Sequence, residues 1–70
     1  MTTVRSEIPA TVWQLRVAVG DEVVAGQELV VLESMKMEIP VAAPSAGTVS
    51  AMHVAEGDRV QEGDPLAEIG

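Results

Sequence analysis

One short segment near the middle of the chain holds the side chains whose types and spacing suggest chemistry. Lys36 lies between Met35 and Met37, and Glu33 and Glu38 flank this trio. A lone lysine at a turn is most often only a solvated charge. Two thioethers beside it are apolar and adaptable, which suits a surface that another protein grips. The residues alone leave both interpretations open.

Other residues that could support chemistry are few and scattered. The chain has no cysteine, which excludes disulfides and thiolate metal sites, and its single histidine, His53, argues against a structural zinc site. The three aspartates lie in predicted turns, where a carboxylate favours local hydrogen bonds. No phosphate-binding loop, Ser/His/Asp set or metal-ligand spacing is present. We therefore expect a chain that is not an enzyme.

The composition indicates which elements must position the lysine. The chain has 70 residues, twelve of them valine, and Trp13 is its only aromatic residue. β-branched side chains favour strands, and four prolines and six glycines divide the chain into short segments. This composition predicts one all-β domain over residues 1–70.

Charge and hydropathy exclude several classes of function. The formal net charge of −7 opposes binding to nucleic acids and to anionic membrane surfaces. No apolar run approaches the roughly 20 residues that a membrane span requires, and the N-terminal segment lacks the apolar core of a secretory signal. We therefore expect a cytoplasmic protein that binds neither nucleic acid nor membrane.

The chain contains two copies of one pattern at an offset of 37 residues. The shared pattern is Val-x-x-(Leu/Met)-x-Val-x-x-Gly-Asp-x-Val-x-x-Gly-x-x-Leu-x-x-(Leu/Ile), and it begins at Val12 and again at Val49. One copy cannot bury its own apolar face. We therefore predict that the two copies pack face to face as a flattened sandwich or barrel with a pseudo-twofold axis.

Several local features follow from the same pattern. The copies cover about residues 4–33 and 41–70, and residues 34–40 join them as a β-hairpin with Lys36 on or beside its tip. Gly20 and its repeat partner are predicted to come first in tight type II′ turns. Apolar residues spaced three apart in each copy break strict alternation, so we expect a bulge there.

The hairpin segment and the repeats together resemble a known family. Residues 33–38, Glu-Ser-Met-Lys-Met-Glu, are similar to the attachment sequence of biotinyl domains, whose core is (Ala/Ser)-Met-Lys-Met. The repeated Gly-Asp-x-Val-x-x-Gly-x-x-Leu resembles the biotinyl/lipoyl domain family, and so does the Ala-Pro-x-x-Gly-x-Val pattern of residues 43–49. The resemblance covers essentially the whole chain.

The resemblance implies both a fold and a function. The family fold is a flattened β-barrel of two four-stranded sheets related by a quasi-dyad. Lys36 matches the attachment position, where a biotin protein ligase would use ATP to join biotin through an amide. Met35 and Met37, with Glu33 and Glu38, would serve recognition by the ligase and partner enzymes.

The resemblance also implies how such a carrier would be used. The tethered biotin would carry CO2 between the sites of biotin carboxylase and carboxyltransferase subunits. The carrier itself would be a monomer without catalytic activity. Because the sequence begins at Met1 and ends with the second copy, we expect a stand-alone protein, with a fragment of a larger carboxylase as the alternative.

Two other functions remain open. A lipoyl carrier, or a protein that accepts either group, would share the fold, although lipoyl domains usually carry Asp-Lys-Ala at the tip. An unmodified adaptor would generally lack the Met-Lys-Met motif.

The sequence departs from the family in places. Ala10 occupies a position where the family often has glycine, and the insertion called a thumb is absent between Val12 and Val23.

Overall fold

The computed structural model describes all 70 residues, which form eight short β-strands and no helix. The strands are β1 (Thr2–Arg5), β2 (Ala10–Leu15), β3 (Glu22–Val23), β4 (Glu28–Ser34), β5 (Met37–Ala42), β6 (Gly47–Met52), β7 (Arg59–Val60) and β8 (Pro65–Ile69). No helix is available that could span a membrane. The all-β class predicted from the valine content and the turn residues is confirmed.

The strands form two four-stranded antiparallel sheets, as predicted. One sheet has the order β1-β8-β6-β3 and the other has the order β5-β4-β2-β7. Adding 37 to the residue numbers converts β2 and β3 into β6 and β7, and it places β1 and β4 on β5 and β8 with one end of each differing by two residues. The two orders are therefore equivalent under the repeat. Each sheet therefore contains two strands from each copy, and the copies interleave instead of forming separate layers.

Four tight turns of one kind separate the short strands. In the first, the N–H of Asp21 donates to the C=O of Ala18 at 3.1 Å, and Gly20 is the third residue with φ = +97°. This is a type II turn. The prediction that Gly20 and Gly57 come first in type II′ turns is therefore wrong, although both have positive φ.

A second hydrogen bond explains the position of the glycine. The Asp21 carboxylate accepts from the N–H of Ala18 at 2.9 Å, so the fourth residue of the turn closes back on the first. The glycine just before it must then be the third residue. The same acceptor position is filled in the other three turns by Gln27, Asp58 and Asp64. The predicted local role of the three aspartates is confirmed.

A bulge interrupts the corresponding strand of each copy. The pairing of β2 with β4 shifts register between Val12 and Gln14, and the pairing of β6 with β8 shifts between Val49 and Ala51. The extra residue allows Val12 and Leu15, which are three apart, both to contact the core. The predicted bulge is confirmed.

The core lies between the two sheets and is almost entirely aliphatic. Its buried members are Val4, Ala10, Val12, Val17, Val23, Leu29, Val30, Leu32, Ala43, Val49, Val60, Leu66 and Ile69. Removing this apolar surface from water is the main term that stabilises the fold. Trp13, at the bulge of β2, is 40% exposed and does not belong to this core.

The chain ends and the β4–β5 hairpin lie toward opposite ends of the molecule. The first and last strands pair, with Thr2 opposite Ile69. Ile69 also pairs with Val49, whose C=O accepts from the N–H of Gly20. Gly20, and with it the pair of chain ends, follows the end of β2 that lies beside the start of β4. The hairpin follows the other end of β4, so the hairpin and the chain ends lie at opposite ends of the molecule.

Candidate functional site at the β4–β5 hairpin

The candidate site is the hairpin that joins β4 to β5. The two strands pair at six positions, from Glu28 opposite Ala42 to Ser34 opposite Met37. Only Met35 and Lys36 remain for the turn, so the loop has two residues. Lys36 occupies its second position, at the tip of the hairpin.

Both residues of this turn have a left-handed backbone. The φ angle is +54° at Met35 and +63° at Lys36, and no other residue except glycine has positive φ. Two consecutive left-handed residues make a type I′ turn, which suits the twist of a hairpin but usually contains Asn or Gly. The left-handed region costs about 1–2 kcal/mol for a residue with a Cβ. The turn thus carries residues that its own backbone disfavours, a feature often found at functional sites.

The side chains of the tip are exposed to solvent. Met35 is 91% exposed and Met37 is 65% exposed, so neither methionine folds back into the core. Lys36 is also exposed. The side chain of Lys36 takes part in neither of the two ion pairs of the structure and in none of the side-chain hydrogen bonds. Its amine is therefore accessible to another molecule and has no competing partner within the chain.

Two carboxylates face each other just behind the tip. Glu33 of β4 lies directly opposite Glu38 of β5, and both are exposed. Neither glutamate takes part in an ion pair. Like charges at directly opposite positions destabilise a pair of strands. The fold itself therefore gains nothing from this arrangement.

Apolar residues fix the strands that support the tip. Leu32 of β4 is 1% exposed and lies opposite Ile39 of β5, which packs against the core. β4 is an inner strand between β5 and β2. β5 is an edge strand and contains Pro40, which has no N–H to donate and is tolerated at an edge. The strands that lead into and out of the turn are thereby held by packing against the core.

The other titratable residues highlighted by the sequence lie away from the hairpin. His53 follows β6, and its Nε2 lies 3.0 Å from Oε2 of Glu68 on β8. The hydroxyl of Thr3 on β1 donates to Oε1 of Glu68 at 2.7 Å. The hydrogen bond from Thr3, followed by that from His53, holds the pKa of the Glu68 carboxyl below its ordinary value. No group of three or more His, Cys, Asp or Glu residues is arranged to hold a metal ion.

Comparison with known proteins identifies the family. Residues 2–69 match the biotin/lipoyl family, which is described as "Biotin-requiring enzyme". The chain belongs to this family. It is 45% identical over 67 residues to the biotin/lipoyl attachment protein of Bacillus subtilis (strain 168), with 96% of this chain and 92% of that protein covered.

A second relative of similar length carries biotin in its name. The chain is 53% identical over 66 residues to the biotinylated protein TB7.3 homolog of Mycobacterium leprae (strain TN), with 94% of this chain and 93% of that protein covered. Two relatives of about the same size therefore belong to the same family as this chain.

The family also occurs within a much larger protein. The crystal structure of the Kluyveromyces lactis urea carboxylase matches with a TM-score of 0.93 and 36% identity, covering 99% of this chain and 6% of that chain. The predicted biotinyl/lipoyl fold is therefore confirmed. The same small fold is one part of a carboxylase in that protein and nearly the whole of the two shorter relatives.

Proposed function

We propose that this chain is a biotin carrier and that biotin is joined covalently to Lys36. The observation that carries the proposal is the turn itself. Lys36 occupies the exposed second position of a strained two-residue turn, between two exposed methionines. Membership of the biotin/lipoyl family supports biotin as the attached group.

The residues at the tip fit a group attached through an amide. Attachment requires an accessible primary amine that can lose a proton and attack an activated carboxyl group. Lys36 is the only lysine of the chain, and it has no internal partner. Acylation removes its positive charge, which takes the formal net charge from −7 to −8.

The hairpin and the lysine stem have complementary roles in presentation. β4 and β5 fix the backbone of Lys36, because their inward side chains pack into the core. The four-carbon stem of the lysine then adds free rotation beyond that fixed point. A group on such a tether has a high effective concentration near an enzyme that docks on the tip. When bound, biotin supplies the chemistry that carries the carboxyl group, and this chain supplies tethering and orientation.

The residues around Lys36 are proposed as contacts for the enzymes that act on it. Fully burying a methionine side chain contributes roughly 1.5–3 kcal/mol, so Met35 and Met37 offer apolar surface to a partner. The paired carboxylates of Glu33 and Glu38 destabilise the strands, which supports a role in binding a partner of complementary positive charge.

The partners in this proposal are of two kinds. A biotin protein ligase loads the carrier, and biotin carboxylase and carboxyltransferase subunits use it. A carboxylase partner is consistent with the presence of the same fold in the urea carboxylase. A monomeric state and a cytoplasmic location complete the proposal.

Co-expression with a biotin protein ligase tests the attachment site. Lys36→Arg keeps a positive charge at the tip but removes the primary amine. We expect the natural chain to be retained on streptavidin and the variant to pass through, with the same melting temperature for both. Retention of Lys36→Arg would contradict the assignment of the site.

A second candidate for the attached group is lipoate. The Bacillus subtilis relative is named a biotin/lipoyl attachment protein, and lipoate would form the same kind of amide with Lys36. Parallel loading reactions with a biotin ligase and a lipoate ligase distinguish the two groups. Loading by both would make this chain a dual carrier.

A further inference from the structure

We propose that Met35 and Met37 are a site of reversible oxidation by peroxide, and that their sulfoxides slow the enzymes that act at Lys36. The inference rests on the proposed function of Lys36. It follows from the exposure of the two sulfur-containing side chains, from their adjacency to Lys36 and from their absence from the core.

The four methionines of the chain differ in exposure. Met35 is 91% exposed and Met37 is 65% exposed. Met52 is half-buried and packs against the core, whereas Met1, 93% exposed, lies at the chain terminus. An oxidant therefore reaches the two sulfurs at the tip more readily than the sulfur of Met52. Met1 is equally accessible but lies toward the other end of the molecule.

Oxidation at the tip changes the recognition surface without changing the core. Neither Met35 nor Met37 contributes to the buried cluster, so their conversion removes no packing. A sulfoxide is polar and chiral, whereas a thioether is apolar and flexible. A partner that buries the tip must then desolvate a strong hydrogen-bond acceptor next to the amine.

The reaction with peroxide is balanced without any other reagent. A lone pair of the thioether sulfur attacks one oxygen of hydrogen peroxide, the S–O bond forms and the O–O bond breaks. The second oxygen leaves as water after proton transfer. The sulfur loses two electrons, and the peroxide gains them. Methionine sulfoxide reductases reverse the change, one enzyme for each sulfoxide epimer. A dithiol supplies the two electrons and two protons and becomes a disulfide, and the sulfoxide oxygen leaves as water.

Adjacency makes the effect specific to reactions at Lys36. Met35 and Met37 are its immediate neighbours, so an enzyme that seats the lysine cannot avoid their side chains. We expect the kcat/KM for biotin loading to fall about tenfold, which corresponds to about 1.4 kcal/mol. That loss is smaller than the free energy of burying one methionine.

The test uses the intact, unloaded chain. It is treated with hydrogen peroxide under native conditions, the peroxide is removed, and the sulfoxides are mapped by peptide mass spectrometry. Fresh biotin ligase then loads each sample, and the initial rate is compared with that of untreated chain. Sulfoxide reductases supplied with a dithiol reductant, and applied after the peroxide, should restore the rate.

Two variants locate the effect. Met35→Leu combined with Met37→Leu keeps apolar side chains of similar size but removes both sulfurs from the tip. Loading of this double variant should be insensitive to peroxide. Met52→Leu is the matched control, because it removes a sulfur elsewhere, and its loading rate should fall with peroxide as that of the natural chain does.

The possible outcomes separate the two proposals. Full conversion of Met35 and Met37 with an unchanged loading rate would overturn the oxidation proposal. If the double leucine variant is not loaded even before treatment, the natural chain alone provides the test. Recovery of its loading rate with reductases supports the oxidation proposal, and a persistent loss of that rate refutes it. If untreated natural chain is not loaded at all, the proposed function fails and the oxidation proposal fails with it.

Discussion

The repeat makes two corners of the molecule directly comparable. At the tip corner, β4 turns into β5 through Met35 and Lys36. At the terminal corner, the equivalent strands β8 and β1 pair in the same way, but they are separate and end near Gly70 and Met1. Pairing of these strands therefore does not require a tight connection. The strained turn at the tip is better explained by what it presents than by what it joins.

The two corners also differ in how closely their small residues pack. Ala10 and Leu32 of the first copy correspond to Gly47 and Ile69 of the second. A Cβ at Gly47 would lie 2.7 Å from Cγ2 of Ile69 and 3.0 Å from the carbonyl oxygen of Gly70. Leu32 has no Cγ2, because it branches one carbon later. The terminal corner therefore requires glycine where the tip corner accepts alanine.

The largest expected effect comes from exchanging these small residues. Gly47→Ala should lower the free energy of unfolding by about 1–3 kcal/mol, because the added methyl overpacks the corner. Adding Ile69→Leu reproduces the pair found in the first copy and should recover part of the loss. Urea unfolding of both variants provides the measurement. Unchanged stability of Gly47→Ala would show that the terminal corner accepts alanine as the tip corner does.

A smaller effect of opposite sign is expected at the tip. Met35→Gly should raise the free energy of unfolding by up to about 1 kcal/mol, because relief of the left-handed strain exceeds the added chain entropy of glycine. Met37→Gly is the matched control, since Met37 lies in β5 and does not have positive φ. The control should be destabilised by about 0.5–1 kcal/mol. Thermal unfolding that destabilises both variants would argue against strain in the turn.

The smallest expected effect concerns one pair of equivalent positions in the two sheets. Glu68 of the terminal sheet corresponds to Val31 of the other sheet, so only one of the two positions titrates. The pKa of Glu68 is lowered in the folded chain by its hydrogen bonds to Thr3 and His53. Its contribution to stability is therefore present above the ordinary carboxyl pKa, and it is lost as the pH falls through the lowered value.

Glu68→Gln isolates this contribution. Unfolding of both proteins is measured at about pH 5.5 and about pH 3, above and below the ordinary glutamate pKa. At the higher pH the natural chain should have a larger free energy of unfolding than Glu68→Gln. This difference between the two proteins should shrink at the lower pH. Equal differences at both values would contradict the linkage. The effect is small because solvent screens partly exposed groups.

The fold was largely predictable because the repeat carries it. The spacing of Val12 and Leu15, and of their partners 37 residues later, locates the bulges and the core face of each copy. The interleaving of the copies was not predictable in the same way. A repeat shows which strands are equivalent, but it does not show which strands pair across the molecule.

Met-Lys-Met marks the tip in the sequence as a candidate attachment site, but the backbone of the tip was not predictable. A type I′ turn is normally recognised by Asn-Gly or a similar pair, and Met35-Lys36 gives no such signal. The turns at Gly20 and Gly57 show the complementary failure. The Gly-Asp pair locates each turn, but the aspartate's bond to the N–H three residues earlier decides where the glycine falls.

The proposed function depends on the attachment of biotin to Lys36. The most direct test is the intact mass of the chain after co-expression with a biotin protein ligase, with biotin and lipoate both supplied, followed by peptide sequencing. The proposed attachment predicts a gain of one biotin less one water, located at residue 36 and absent from Lys36→Arg. A lipoyl adduct alone, an adduct elsewhere in the chain or no adduct would contradict it.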